Sequence, residues 1–369
     1  MESCRKESLW IISDRKEFYM LRAMDSAVAG LRSHQNKLDV ISNNIANVNT
    51  FGFKAQSYSF KDTMYQTSNA SAAGKVSTTT AGIATTGGIN GSQYGYGSLT
   101  GSIATDFTSS TPSYIGGFNA SINGPGFFIT NSANLSNKVT VDTSTADKIV
   151  QTTKDMKGAN FSYTRVGQLN VDSNGYIVDS NGNFVYGFRP NTLTDPTVYG
   201  ADSTTSTSKD LYALRAPDAT ITDITKAGTY AGVATPLKSI EIGNDGVIKA
   251  IIELKVTSGT GASATSSLEE KSIIIGKIAI ASFQNQEGLM KAGNNTFNAS
   301  TGDNTGNVSA SEPGIGATPS LMAGYLEGSN VDLAKEFSDM ITTQRGFQAN
   351  SKIITVSDEV LQELVNMKR

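Results

Sequence analysis

Residues 330–369 read NVDLAKEFSDMITTQRGFQANSKIITVSDEVLQELVNMKR, and an apolar residue recurs at every seventh position. Leu333, Met340, Phe347, Ile354 and Leu361 make that series, while the positions four further on, Phe337, Gln344, Ser351, Asp358 and Val365, are largely polar. The pattern predicts a helix with a narrow sticky seam. At 1.5 Å per residue it would run to about 55 Å if continuous. Nothing within it can cover the seam, so it needs partner helices.

A matching stretch lies at the other end of the chain. Leu21, Met24, Val28, Leu31, Leu38, Ile41, Ile45 and Val48 are spaced by threes, fours and one seven, which is again a one-sided amphipathic helix. No helical pattern interrupts the residues between. Two such helices at the extremes favour coiled-coil association over ordinary core packing. The periodicity leaves open whether each helix finds its partner in the same chain or in another copy.

A length of 369 residues predicts two or three domains, and 38% hydrophobic with 17% charged residues suffices for sizeable cores. The net charge of -3 and the lack of a basic stripe with interleaved aromatics argue against nucleic acid as partner. No apolar run approaches a membrane span; Ile273–Ile280 is interrupted by Lys277. Residues 1–19 stand apart, holding Cys4, Trp10 and a crowd of charges before Met20. Leu9–Ile12 is too short for a secretory signal, so 1–19 are expected to be a leader from a mis-set start. The remainder carries no cysteine, which excludes disulfides and thiolate chemistry there.

The first helix runs into NNIANVNTFGFK, residues 43–54, where asparagines erode helix propensity and Gly52 offers a left-handed stop. These twelve residues, with Asn43, Asn44, Asn47, Asn49, Gly52 and Phe53, resemble the N-terminal signature of the axial proteins of the bacterial flagellum, its rod and hook subunits. QRGFQAN, residues 344–350, resembles the family's C-terminal signature through Gln344, Arg345, Gly346 and Phe347. The middle is similar as well: Ala120–Ile129, Tyr163–Val171 with its continuation, and Ile273–Phe297 look like the family's central β domain.

Strand signals fill that middle. Gly124-Pro125-Gly126 precedes the run Phe127–Thr130, and the turns Asn174-Gly175 and Asn181-Gly182 separate alternating segments up to Phe188, a three-stranded meander. Asp172 and Asp179 open those turns in a calcium-loop-like manner, but the twelfth positions are Asn183 and Pro190, so turn chemistry is the reading. The expected organisation is mainly β with α-helical termini pairing as a coiled coil. Its parts are a helix and signature loop at 20–66, a Ser/Thr/Gly-rich connector at 67–118, and a central β domain from 119–189 with 239–299. An inserted outer domain at 190–238, a second connector at 300–325 and the last helix at 326–369 complete it.

Catalytic chemistry finds little support. The only histidine, His34, falls on the polar side of its helix stripe and reads as solvated, and no phosphate loop, nucleophile elbow or zinc helix occurs. The chain is expected to be no enzyme, with no cofactor, no metal and no small-molecule substrate. The family resemblance implies instead a structural subunit that polymerises into a helical tube. Its implied partners are further copies, other flagellar axial proteins (the distal rod, the hook cap and the hook–filament junction) and the export apparatus. Its implied place is the basal body and hook, outside the cell, reached without a cleaved signal. The insert and the long first connector look like the hook subunit, a flexible tube carrying torque from rod to filament. A rod subunit is the alternative, and a secreted adhesive or carbohydrate-binding β protein the alternative from another class. The expected assembly seam is Leu21, Met24, Val28, Leu31, Leu38, Ile41 and Ile45 with Leu333, Phe337, Met340, Phe347, Ile354 and Leu361.

Overall fold

A computed structural model describes residues 2–76, 84–132, 139–145, 148–150, 156, 161–188, 190–192, 195–199, 208–215, 237–258, 265–300, 302–315 and 318–367. The chain is mainly β, with a helix at each end. It divides into two units. One comprises Met1–Ala46, Gln56–Thr105 and Val331–Arg369, the other Asn47–Ala55 and Asp106–Asn330.

In the first unit, helix α1 (Glu2–Ala46) packs against helix α2 (Leu333–Met367). Residues 2–19, expected to stand apart, continue α1 without a break at Met20, since each residue added to a nucleated helix gains a hydrogen bond. α2 starts where the Asp332 carboxylate accepts the backbone N–H groups of Ala334 (2.9 Å) and Lys335 (3.3 Å), an N-cap satisfying two orphan donors. Strands β1 (Gln56–Asp62), β2 (Tyr65–Asn69) and β3 (Lys75–Val76) lead outward, and β4 (Ala84–Thr86), β5 (Ser92–Gly95) and β6 (Ser98–Thr105) lead back. β1 pairs with β6, β2 with β5 and β3 with β4, all antiparallel, so these strands make one two-stranded ribbon.

The second unit centres on Phe127–Asn131, whose five residues are all buried. It pairs antiparallel with Ser162–Thr164, Phe184–Phe188 and Ile280–Phe283. Alternate side chains leave opposite faces of a strand, so Phe127 and Ile129 enter one hydrophobic cluster and Phe128 the other. The first cluster is aromatic: Phe127 meets Phe107, Phe283 and Phe297 edge-on at centroid distances of 5.4, 5.7 and 5.7 Å. The second is aliphatic, gathering Ile177, Val185, Ile248, Ile278, Ile280 and Leu321. The meander consists of Leu169–Val171, Ile177–Asp179 and Phe184–Phe188. Its turns are closed by their aspartates: Asp179 Oδ1 accepts the N–H of Asn181 (2.8 Å) and of Asn183 (2.9 Å).

The polar segments differ from their sequence reading. Both expected connectors contain strands: 67–118 supplies most of the ribbon and Pro112–Tyr114, which pairs with Tyr325–Glu327. Within 300–325, Val308–Ser311 pairs with Ile280–Phe283, and Leu321–Ala323 with Ala120–Ile122. Ladder hydrogen bonds use backbone groups, so a Ser/Thr/Gly-rich composition conceals them. Part of the expected insert likewise joins the central sheet, with Ser208–Ala213 pairing to Phe184–Phe188 and Leu211 and Leu214 fully buried. Residues 216–236 of that insert lie outside the described residues.

Candidate assembly surface

Three contacts fix how the terminal helices meet. Asn44 Nδ2 donates to Glu336 Oε1 at 3.1 Å, the His34 ring lies on Gly346, and Gly30 lies against the Asn350 amide. Partner positions advance along α2 by as many residues as they retreat along α1, which makes the pair antiparallel and in register. Small residues permit this approach: Ala27 and Gly30 on α1 and Thr343 and Ser357 on α2 are buried. α1 is also covered by the ribbon. Ser33 Oγ donates to the Ser98 carbonyl (3.0 Å), Asn36 Nδ2 to Thr100 Oγ1 (3.2 Å), and Arg22 stacks beside Tyr94 and Tyr96 while bonding Gln66.

The expected seam residues separate accordingly. On α1, Ile41 is buried, Met24, Leu31, Leu38 and Ile45 are half-buried, as is Val48 beyond the helix, and Val28 is exposed; Leu21 lies in α1 with its side chain outside the described residues. On α2 the apolar series faces α1 only in part, with Met340, Ile354 and Leu361 half-buried and Leu333 and Phe347 at the exposed margin. The companion line is not the one four positions on. Phe337, Gln344, Ser351, Asp358 and Val365 are exposed, and the line facing inward is Glu336, Thr343, Asn350, Ser357 and Leu364. Four of those five are polar or charged, so a search for apolar periodicity passes over them.

His34 also differs from expectation. It is half-buried instead of solvated, lies on Gly346, and its ring centroid is 5.3 Å from that of Phe60 on β1. Its Nδ1 is buried with no hydrogen-bond partner. Burial, and then the charge of Lys37, holds the imidazole below its ordinary pKa. What remains exposed on α2 is Phe337, Ile341, Ile353, Val356, Val360 and Val365, with Ile353 and Val360 flanking the inward line at Ser357 and the others farther round the helix.

The signature residues carry geometry. Asn44, 1% exposed, ties three elements of the first unit: besides Glu336, it donates to the Gln56 carbonyl (2.8 Å) and accepts the Gln56 N–H (3.0 Å), so its amide acts as an extra strand residue at the start of β1. Burial raises the pKa of Glu336, opposed by the Asn44 hydrogen bond. Asn43 and Asn49 are exposed, and Asn47 accepts from Thr50 through Oδ1 and its carbonyl. Gln344 and Arg345 are exposed on α2.

In the second unit Gly52 takes φ 69°, and its N–H donates to the Glu327 carbonyl at 2.8 Å. A Cβ there would meet Val166 at 2.9 Å. Phe53 is buried, with Lys291 Nζ 4.6 Å from its ring centroid. Lys54 is fully enclosed, its Nζ 2.8 Å from Glu327 Oε1 and 2.7 Å from the Thr108 carbonyl. The Arg165 guanidinium adds a second cation, Nη1 lying 3.4 Å from Glu327 Oε2 and 2.7 Å from the Gly124 carbonyl. Burial depresses the pKa of Lys54 and of Arg165, and Glu327 opposes it in both. Sequence reading singled out Lys54 and the segment holding Arg165 but passed over Glu327; a buried triad joining residues far apart in sequence leaves no local pattern.

Comparison with known proteins agrees with this distribution. Residues 24–54 match the family described as flagella basal body rod protein, and residues 322–367 the one described as flagellar basal body rod FlgEFG protein C-terminal. The chain is 36% identical over 352 residues to the flagellar basal-body rod protein FlgG of Bacillus subtilis, covering 95% of this chain and 100% of that protein. It is 28% identical over 480 positions to the flagellar hook protein FlgE of Borreliella burgdorferi, and 28% identical over 350 to the same organism's rod protein FlgG, each with 95% of this chain and 100% of the relative covered. The two family matches take in the α1 and α2 contact residues and both signatures, and the full-length relatives extend the likeness across the β units between them: the chain belongs to the flagellar basal-body rod and hook family of axial structural proteins.

Proposed function

We propose that this chain is a structural subunit of the flagellar axis that assembles with copies of itself into a helical tube, with the outer face of α2 buried between neighbours. The observation carrying this reading is that α1 is sandwiched between α2 and the ribbon, whereas α2 leaves Phe337, Ile341, Ile353, Val356, Val360 and Val365 uncovered along most of its length. Burying one such side chain contributes about 1.5–3 kcal/mol. A row of them repeated in every subunit suffices to drive polymerisation, and coiled-coil contacts between copies would supply that burial. Neighbouring axial proteins meet the same surface at the ends of the tube, and the export apparatus delivers the chain outside the cell.

Within the axis we read the subunit as that of the hook, on the strength of the segment between Arg189 and Lys238, which the resemblance associates with an outer domain. The rod is favoured by a different observation. The hook relative of Borreliella burgdorferi aligns over 480 positions, more than the 369 residues of this chain, so it carries segments this chain lacks. Electron microscopy of a strain lacking the chain decides between them. Loss of the curved hook with an intact rod supports the hook reading, loss of the distal rod the second, and a complete rod and hook refutes both.

A further inference from the structure

We propose that His34 makes the pairing of α1 with α2 and β1 acid-labile, so that this clasp holds while the imidazole is neutral and loosens when it takes up a proton. Three features of the site carry this. The ring is pressed against another helix, since a Cβ on Gly346 would lie 2.7 Å from Cε1, 2.9 Å from Nε2 and 3.2 Å from Nδ1. Its other neighbour is the Phe60 ring, at 5.3 Å. Its Nδ1 is enclosed and has no hydrogen-bond partner. Neutral imidazole needs only one of its nitrogens to donate, whereas imidazolium makes donors of both, so protonation places an unpaired N–H and a positive charge in the contact.

One nearby charge strengthens the effect: Lys37 on α1 disfavours the imidazolium. The other cations closest in sequence on the packed elements are Arg32 on α1, Lys61 on β1 and the exposed Arg345 on α2. The carboxylates of the same elements closest in sequence, Asp39, Asp62 and Asp339, make no hydrogen bond or ion pair with the ring. The face of Phe60 could attract a cation, but Lys37 Nζ already stands 5.8 Å from its centroid. Burial and Lys37 both favour the neutral ring. The sign follows: the paired state binds the proton more weakly than the open state. The clasp is therefore intact above the ordinary histidine value of about 6.5 and weakens as pH falls through it. Weakening stops once the paired state itself is protonated. One proton limits the slope to about tenfold in the pairing constant per pH unit.

Within the assembly reading, on which its biological meaning rests, this residue sets the pH at which subunits keep the helix pair needed to stack. The test is hydrogen exchange, corrected for intrinsic rates, of the full chain at pH 7.5 and 5.5, following peptides over residues 27–45 in wild type and His34→Gln. The expected result is several-fold faster exchange at pH 5.5 in wild type and little change in the variant. Equal loss in both, or none in wild type, overturns the proposal. Should His34→Gln fail to pair even at pH 7.5, the lone histidine gives one proton NMR titration in the wild-type chain: a midpoint below that of an unstructured histidine peptide supports the proposal, and one at or above it overturns it. Electron microscopy at pH 7.5 separates the two readings, because absence of a tube there counts against the assembly function and leaves the exchange comparison intact.

Discussion

Gly346 lies directly beneath the imidazole of His34, close enough that a methyl group on it would overlap the ring at 2.7 Å. Glycine inside a helix costs about 1 kcal/mol relative to alanine, so Gly346→Ala would stabilise an isolated α2. In the pair the ring must move first. We expect Gly346→Ala to lower the melting temperature of the full chain, and Gly346→Ala with His34→Ala to recover most of the loss, a coupling of about 0.5–3 kcal/mol in the double-mutant cycle. Additive effects in thermal denaturation would mean the two residues do not meet.

The triad of Lys54, Arg165 and Glu327 predicts an asymmetry. Two buried cations share one carboxylate. Lys54→Met leaves Arg165 and Glu327 as a matched pair, whereas Glu327→Gln leaves two cations enclosed with no counter-charge between them. Removing one member of a buried pair costs about 3–5 kcal/mol when a charge is stranded. Glu327→Gln should therefore lower the urea midpoint of the second unit more than Lys54→Met does. The reverse order would show that the lysine hydrogen bonds, not charge balance, dominate this site.

Asn44 gives a prediction with a defined pH direction. Asn44→Asp exchanges an amide that donates to Glu336 for a carboxylate facing it. Like charges raise both carboxyl pKa values in the folded state, and burial already raises that of Glu336. Raised folded-state values give stability that is present at low pH and lost as pH rises through them. Relative to wild type at each pH, the variant should thus be far weaker at pH 7.5 than at pH 4.5. Asn44→Ala adds no charge but removes the bond that holds the Glu336 pKa down, so it should show the same direction with a smaller difference between the two pH values in the same melts.

The helices at both ends were legible because apolar residues at spacings of three, four and seven have few other readings, and the meander because Asn174-Gly175 and Asn181-Gly182 match its turns. The inward line of α2 was not. Close helix packing around Gly30 and Gly346 selects small and polar residues such as Thr343 and Ser357, which leave no hydrophobic signal. His34 was misplaced for a related reason: the stripe locates one partner of α1, while the ribbon covering another side of that helix comes from a Ser/Thr/Gly-rich segment whose pairing is carried by backbone groups. Glu327 stood outside any quoted motif, and only the fold brings it to Lys54 and Arg165.

The same displacement of the seam decides where an assembly-blocking substitution belongs. Phe347 lies at the margin between the inward and outward sides of α2, so changing it would disturb pairing and stacking together. Ile341, 53% exposed, and Val356, 44% exposed, lie on the outward side. In the free subunit Ile341→Asp or Val356→Asp alters an exposed position, a change usually within about 0.5 kcal/mol. In a tube that buries the outer face, the same carboxylate is stranded without a partner in every subunit, at several kcal/mol each. The expected outcome is a subunit with unchanged circular dichroism and melting temperature that forms no tube, in a strain that does not swim. Lys352→Ala, a control on the exposed surface of the same helix, should matter by under about 1 kcal/mol. Normal tubes from Ile341→Asp and Val356→Asp subunits would mean that neighbours leave this face in solvent. A matching fall in subunit stability would instead place both residues in a core of the single chain.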